Sequence, residues 1–140
     1  MSVHFSSETD LWSTPQETFD NLNKVFNFKL DPCATVENAK CENFFTKEDD
    51  GLSKDWAAYG NVFMNPPYGR EIGKWVHKAY TSGACVVCLL PARTDTKWWN
   101  DNCNNADVIK FIKGRLRFGD SKNSAPFPSA IVIFNLFNSN

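Results

Sequence analysis

No apolar run in the sequence approaches the ~18 residues that cross a membrane, and no internal repeat supports a collagen or coiled-coil reading. The opening Met1-Ser2-Val3-His4 lacks the basic-then-apolar order of a secretory signal. Histidine occurs only twice, and no HxxxH spacing exists. One CxxC pair is present, Cys85 and Cys88, with no second pair to complete a metal site. That pair lies within the apolar run Ala84-Cys85-Val86-Val87-Cys88-Leu89-Leu90. Strand residues three apart point to opposite faces, so the two thiols do not easily share an ion. Buried core thiols and no metal are expected. The five cysteines form an odd set without a signal peptide, which argues for free thiols in a reducing cytoplasm.

What is present builds a core. Of 140 residues, 42% are hydrophobic and 22% charged, with 12 Phe and 5 Trp. This excludes a disordered chain and suits one domain over residues 1–140. The net charge of −1 conceals an asymmetry. Residues 1–60 hold five Lys/Arg and eleven Asp/Glu, whereas residues 61–140 hold ten and five. A basic C-terminal half hints at a surface for a polyanion, although ordinary solvated charge looks the same.

Local patterns order the chain. Residues 1–13 read as an extended arm, flexible over 1–10. Thr14-Pro15-Gln16-Glu17 reads as a helix start, with Thr14 as N-cap, Pro15 at the first helical position and Glu17 closing a capping box. Phe19, Leu22 and Val25 or Phe26 follow at helical spacing. Short strands are predicted at Phe28-Lys29-Leu30 and Phe44-Phe45, with polar, irregular chain over 35–60. Asn61-Val62-Phe63-Met64 is a further strand. Ile72, Trp75, Val76, Ala79 and Tyr80 share one helix face, and Thr81-Ser82-Gly83 stops that helix. The run 84–90 predicts a strand buried on both faces, as in a parallel sheet. Thr94 or Asp95 caps a helix carrying Trp98 and Trp99. Strands follow at Val108–Ile112 and Ala130–Phe134, joined by a basic and then Pro-rich link over 113–128. Alternating strands and helices mean an α/β fold with a mostly parallel sheet. Ligands in such sheets bind outside the carboxyl ends of the strands. Two polar strings occupy that position: Asp31-Pro32-Cys33-Ala34 and Asn65-Pro66-Pro67-Tyr68.

The second string carries a chemical reading. Two prolines after a strand offer no N–H, so they end the ladder and leave carbonyls free. Asn65 adds a side-chain acceptor and Tyr68 a flat aromatic face. Two oxygen acceptors beside an aromatic suit a planar NH2 group. The base or amide stacks on Tyr68, while its amine protons bond to the Asn65 side chain and the Pro66 carbonyl. Those bonds favour a more tetrahedral nitrogen, whose lone pair can attack an electrophilic methyl. Pro-Pro alone would mark only a strand-ending turn. The whole string after an apolar strand is more specific.

Asn65-Pro66-Pro67-Tyr68 resembles the catalytic motif of S-adenosylmethionine-dependent amino-methyltransferases. More closely, the chain resembles the phage-type (bacteriophage and prophage) DNA N-6-adenine methyltransferases, the Dam-type enzymes. The matching strings begin with Trp12-Ser13-Thr14-Pro15, Leu30-Asp31-Pro32-Cys33-Ala34 and Asp49-Asp50-Gly51-Leu52. They continue through Asn65 to Arg70, Leu89 to Thr96, Gly114-Arg115-Leu116-Arg117-Phe118-Gly119 and Pro126-Phe127-Pro128-Ser129-Ala130. The resemblance implies a compact class I methyltransferase fold, Rossmann-like, with a C-terminal antiparallel hairpin. The last two predicted strands fit that hairpin. The chain departs from larger relatives in three ways. It lacks the usual glycine pair after Asp31, has only 30 residues between Ala34 and Asn65, and has no stretch for a separate target-recognition domain.

The resemblance further implies S-adenosylmethionine as methyl donor, bound at the first strand end by Asp31, Pro32, Cys33 and Ala34. Thr14 and Pro15 match the element that contacts its methionine end. Asp50 is the candidate for its adenine amine and Glu37 the weaker candidate for its ribose. Asn65, Pro66, Pro67 and Tyr68 are the implied catalytic residues, and the implied substrate is double-stranded DNA in a bacterial host cytoplasm. An adenine in a duplex must be flipped out to reach such a turn. Lys110, Lys113, Arg115, Arg117 and Lys122 surround Gly114 and Gly119, with Phe111 and Phe118 interleaved. Lys113, Arg115 and Arg117 are candidate phosphate contacts, although a basic loop can serve solubility alone. Arg93, Thr94 and Asp95 either line the target pocket or, for Thr94 and Asp95, cap a helix. The same turn serves methylation of RNA or of a protein glutamine, and an inactive nucleic-acid-binding relative is the remaining alternative.

Overall fold

The computed structural model describes residues 12–119 and 123–139. Most of the predicted arm, and Lys122, lie outside these residues.

The first helix, α1 (Gln16–Phe26), starts one residue later than predicted. Pro15 sits at its N-cap with φ −59° and ψ 133°, and no side chain caps it. Thr14 does not cap because its hydroxyl accepts a hydrogen bond from the Asn65 side chain instead. The helix buries Phe19 edge-on against Phe63, 5.2 Å between ring centres. Asn27 ends it in the left-handed region, φ 52°.

The sheet is mixed. Strands β1 (Val62–Met64), β2 (Val86–Pro91), β3 (Val108–Phe111) and β4 (Ser129–Phe134) stand in the order β1-β2-β4-β3. β1 and β2 pair in parallel, Met64 opposite Cys88. β4 runs antiparallel to both β2 and β3. A mostly parallel sheet is therefore only partly met. The predicted terminal hairpin is partly met too: β3 and β4 pair antiparallel, but the link between them spans 112–128. The side chains explain the order. Every residue of β4 is buried, whereas Ile109, Lys110 and Phe111 of β3 are exposed. The strand buried along its whole length takes the interior, and the edge strand exposes Ile109 and Phe111 beside Lys110.

The predicted strands at 28–30 and 44–45 shrink to single bridges. Leu30 pairs with Val62 and Asp31 with Phe44, both in parallel. Helix α2 (Ile72–Thr81) buries Ile72, Val76 and Ala79 as its periodicity predicts. Helix α3 (Lys97–Asn102) is capped by Thr96, whose hydroxyl accepts from the Trp99 N–H at 3.3 Å. Thr94 and Asp95 are not its cap. The Thr94 carbonyl instead accepts from the Asn100 side chain. The core lies between sheet and helices, with Leu30, Met64, Val86, Leu89, Leu90 and Val132 inaccessible to solvent.

Between the first bridge and β1 the chain forms three short 3-10 turns, Lys47–Asp49, Gly51–Ser53 and Trp56–Ala58. Trp56 is fully buried, donates its indole N–H to the Gly51 carbonyl at 2.8 Å, and stacks on Trp75. Gly51 lies so close to Pro32 that a Cβ there would fall 2.2 Å from the Pro32 carbonyl oxygen. This backbone contact places Asp50 beside the Asp31 strand end. Gly51→Ala is expected to destabilise the protein by about 1–3 kcal/mol, the usual cost of overpacking. Urea unfolding checks this, and an unchanged midpoint would mean that the two loops separate freely.

Candidate active site

The parallel pairing of Leu30 with β1 and of β1 with β2 brings their carboxyl ends to one rim. Both polar strings emerge there. The Cys33 thiol donates to the Asn65 carbonyl at 3.5 Å, joining strings 32 residues apart. One cleft is lined by Asp31 and Cys33 from the first string, Asn65, Pro66 and Pro67 from the second, and Trp12, Ser13 and Thr14 before α1. Asn38 and Lys40 complete it.

Asp31 is buried with 5% of its surface exposed. Its carboxylate accepts the Lys40 backbone N–H at 3.0 Å and a Cys33 backbone N–H. No ion pair holds it among the described residues. Burial raises its pKa from 3.8 to about 6, against the lowering effect of those two N–H groups and of the Lys40 charge. A buried carboxylate with no ion-pair contact, on a cleft wall, fits a cationic ligand group. Burial, and then the neighbouring Asp31 charge, also keep the Cys33 thiol protonated.

Asn65 is held from one side. Its Nδ2 donates to the Trp12 carbonyl and, at 2.9 Å, to the Thr14 hydroxyl. Its Oδ1 is buried and accepts no hydrogen bond. Leaving a buried acceptor unpaired costs roughly 1–3 kcal/mol, and such groups mark sites of function.

Tyr68 departs from the open stacking face predicted for it. Its ring is 4% exposed and its hydroxyl donates to the Leu89 carbonyl at 2.9 Å. Phe118 and Phe127 press their edges on it, 6.1 and 5.6 Å between ring centres. Trp12 in turn packs edge-on against both phenylalanines. Burial keeps the phenol protonated. Phe118 thus belongs to this aromatic cover and does not interleave with the basic side chains.

The other predicted residues are dispersed around the rim. Pro32 and Ala34 are buried beside Asp31, and Pro15 caps α1. Glu37 and Asp50 are exposed and do not line the cleft. Arg93 follows β2 at the same rim, with its guanidinium 5.7 Å from the centre of the Phe127 ring. Lys113, Arg115 and Arg117 are exposed on the loop after β3. That loop turns at Gly114, φ +77°, and Gly119, φ +55°, conformations suited to glycine. The Gly119 N–H donates to the Ser13 carbonyl at 2.8 Å, which ties the loop to the cleft.

On one rim the chain thus gathers a buried carboxylate, a buried amide oxygen that accepts no hydrogen bond, and a basic loop. Residues 2–139 match the model of a family described as DNA N-6-adenine-methyltransferase (Dam). The chain belongs to this Dam family. It is 32% identical over 139 residues to a protein of Haemophilus phage HP1 (strain HP1c1) named DNA N-6-adenine-methyltransferase. That match covers 91% of this chain and 80% of the relative. It is 33% identical over 111 residues to a protein of the same name from Escherichia phage T1, covering 76% of this chain and 46% of that relative.

Sequence reasoning missed four residues that line this cleft, Trp12, Ser13, Asn38 and Lys40. Lys40 holds Asp31 through its backbone N–H, which residue type cannot signal. Its ammonium donates to Gln16 Oε1 at 2.7 Å, which latches the loop onto α1. Asn38 exchanges hydrogen bonds with Thr35 at 2.7 and 3.1 Å and so shapes the same loop. Among the described residues no cluster of His, Cys, Asp or Glu is placed to hold a metal ion. No helix there is long and apolar enough to cross a membrane.

Proposed function

We propose that this chain transfers a methyl group from S-adenosylmethionine to the N6 amino group of adenine in DNA. The observation that carries the reading is the convergence, in one cleft, of a buried carboxylate with no ion-pair partner among the described residues and a buried amide oxygen without a donor. The first suits a cationic cofactor and the second an amine. Bound S-adenosylmethionine supplies an electrophilic methyl carbon on a sulfonium sulfur. Asp31 takes a positive group of the cofactor, and Pro32, Cys33 and Ala34 shape the wall beside it. Thr14 and Pro15 close the opposite side, Asp50 is the partner for the cofactor adenine, and Glu37 flanks the ribose.

Asn65 and the Pro66 carbonyl accept the two amine protons of the target adenine. Both bonds draw density toward nitrogen and hold its lone pair out of conjugation with the ring, which is electrostatic catalysis with positioning. Pro66 and Pro67 keep the turn rigid. Tyr68 stacks on the flipped base once the Phe118–Phe127 cover has opened, and Arg93 stands at the mouth. Residues 2–139 act as one catalytic unit, and loops of that unit meet the duplex.

The direct test is incubation with labelled S-adenosylmethionine and unmethylated DNA, followed by nucleoside analysis. Label in N6-methyl-2′-deoxyadenosine is expected. Label in RNA or in protein glutamine, with none in DNA, would overturn the reading. The DNA surface has its own expected result. Lys113, Arg115 and Arg117 extend from a loop tied to the cleft, so each is assigned a phosphate. Each loss is then expected to reduce the slope of log K against log salt by about 0.9, uniformly across sequences. A salt titration of the triple alanine variant, with circular dichroism for folding, checks it. An unchanged slope would move the duplex contact to Arg70, Lys74 and Lys78.

A further inference from the structure

We propose that Thr14 is a positioning residue that, with the Trp12 carbonyl, holds the Asn65 amide in one orientation. The inference rests on Asn65 serving the amine acceptor role given above. An asparagine amide offers two N–H donors and one oxygen acceptor, and a half-turn about its last bond exchanges them. Catalysis on an amine needs the oxygen toward the target, because the amine brings donors of its own. The structure shows what prevents the half-turn. The Trp12 backbone carbonyl, an acceptor only, faces Nδ2. The Thr14 hydroxyl takes the second amide proton at 2.9 Å; a hydroxyl can also donate, so the Trp12 carbonyl sets the orientation and Thr14 anchors it. Thr14 is 6% exposed, so water does not readily replace that acceptor. Both amide protons are thereby spent on the protein, and Oδ1 is the polar atom of this side chain left without a partner.

Two consequences follow. Asn65 becomes a reader of N–H donors, since a keto oxygen in the same place would face Oδ1 acceptor to acceptor. The displaced cap of α1 also gains a reason. Thr14 leaves the helix start without a side-chain cap because its hydroxyl is committed to a residue 51 positions away.

Thr14→Val keeps the shape and removes the acceptor. Its kcat at saturating S-adenosylmethionine is expected to fall on the order of 10- to 100-fold, as for a misplaced catalytic group. Thr14→Ser is expected to restore kcat. Saturating cofactor separates this from a contact between Thr14 and S-adenosylmethionine, which would show as a raised KM for the cofactor. A second readout needs no activity. In the ligand-free wild type, the 15N-labelled Asn65 side chain is expected to show both amide protons protected from solvent exchange. In Thr14→Val one of them should lose that protection. Wild-type kcat in Thr14→Val, or a loss confined to cofactor KM, would overturn the proposal. So would two freely exchanging amide protons in the wild type, a result that stands even if Thr14→Val does not fold. Protected protons in a protein that methylates no DNA would sink the functional reading and leave the positioning intact.

Discussion

Replacing Asn65 by alanine is expected to reduce kcat by about 10²–10³-fold, the effect of removing one preorganised partner of developing charge, or about 2.7–4 kcal/mol in the barrier. The reacting amine loses its side-chain acceptor while the Pro66 carbonyl remains. Cofactor affinity should persist, because Asp31 belongs to the other string of the rim. Single-turnover methylation at saturating S-adenosylmethionine measures the loss, and calorimetry measures the affinity. The variant also removes the donor that now satisfies the Trp12 carbonyl and the Thr14 hydroxyl. Some loss of stability is therefore expected beside the loss of rate, and circular dichroism separates the two. Near-wild-type turnover with unchanged cofactor binding would remove Asn65 from the chemistry.

The second large effect concerns Asp31 and pH. Its carboxyl has a pKa of about 6 in the ligand-free protein, raised by burial. If a cationic group of the cofactor binds the ionised form, affinity is full above pH 6 and weakens as pH falls through it. The expected loss approaches tenfold per pH unit. Asp31→Asn should abolish both the tight binding and this pH dependence.

The same substitution should act oppositely on the empty protein. A carboxyl whose pKa rises on folding contributes stability below its unfolded pKa, and that stability is lost as pH rises through about 6. At neutral pH the ionised, buried Asp31 therefore costs the fold roughly 3 kcal/mol, the free-energy equivalent of that pKa change. Asparagine carries no such cost and can still accept the Lys40 N–H. Thermal unfolding at neutral pH is expected to show ligand-free Asp31→Asn more stable than wild type while it binds cofactor worse, the usual exchange of stability for function. Unchanged cofactor affinity in the folded variant would move the cofactor elsewhere.

Much of this architecture was legible because local signals and tertiary demands agree. The five apolar positions of α2 follow one face, and three of them are buried as that face meets the sheet. The unbroken apolar run of β2 was legible as a strand buried on both faces, and it is. Asn65 to Tyr68 was legible as a strand-ending turn because two prolines forbid a ladder wherever they fall. What escaped was decided by long-range partners. Thr14 has good cap chemistry, yet a buried amide 51 residues on competes for its hydroxyl and wins. Tyr68 has the right ring, but nothing local announces that Phe118 and Phe127 close over it. Thr96, with its hydroxyl on the Trp99 N–H, displaced Thr94 and Asp95 by the geometry of the turn after β2. Strand order was not legible either, since the position of β4 depends on which neighbour offers the longer apolar edge.

That position also sets the order in which the molecule can be completed. β4 is the last strand in sequence but sits between β2 and β3, which do not touch each other without it. Until residues 129–134 have been synthesised, a nascent chain holds β2 with one ladder edge open and β3 with no partner. The open edge of β2 is apolar along its whole length. Unpaired apolar edges recruit other chains, and pairings that close long loops form slowly. A chain halted before Ser129 is thus exposed to edge-to-edge aggregation.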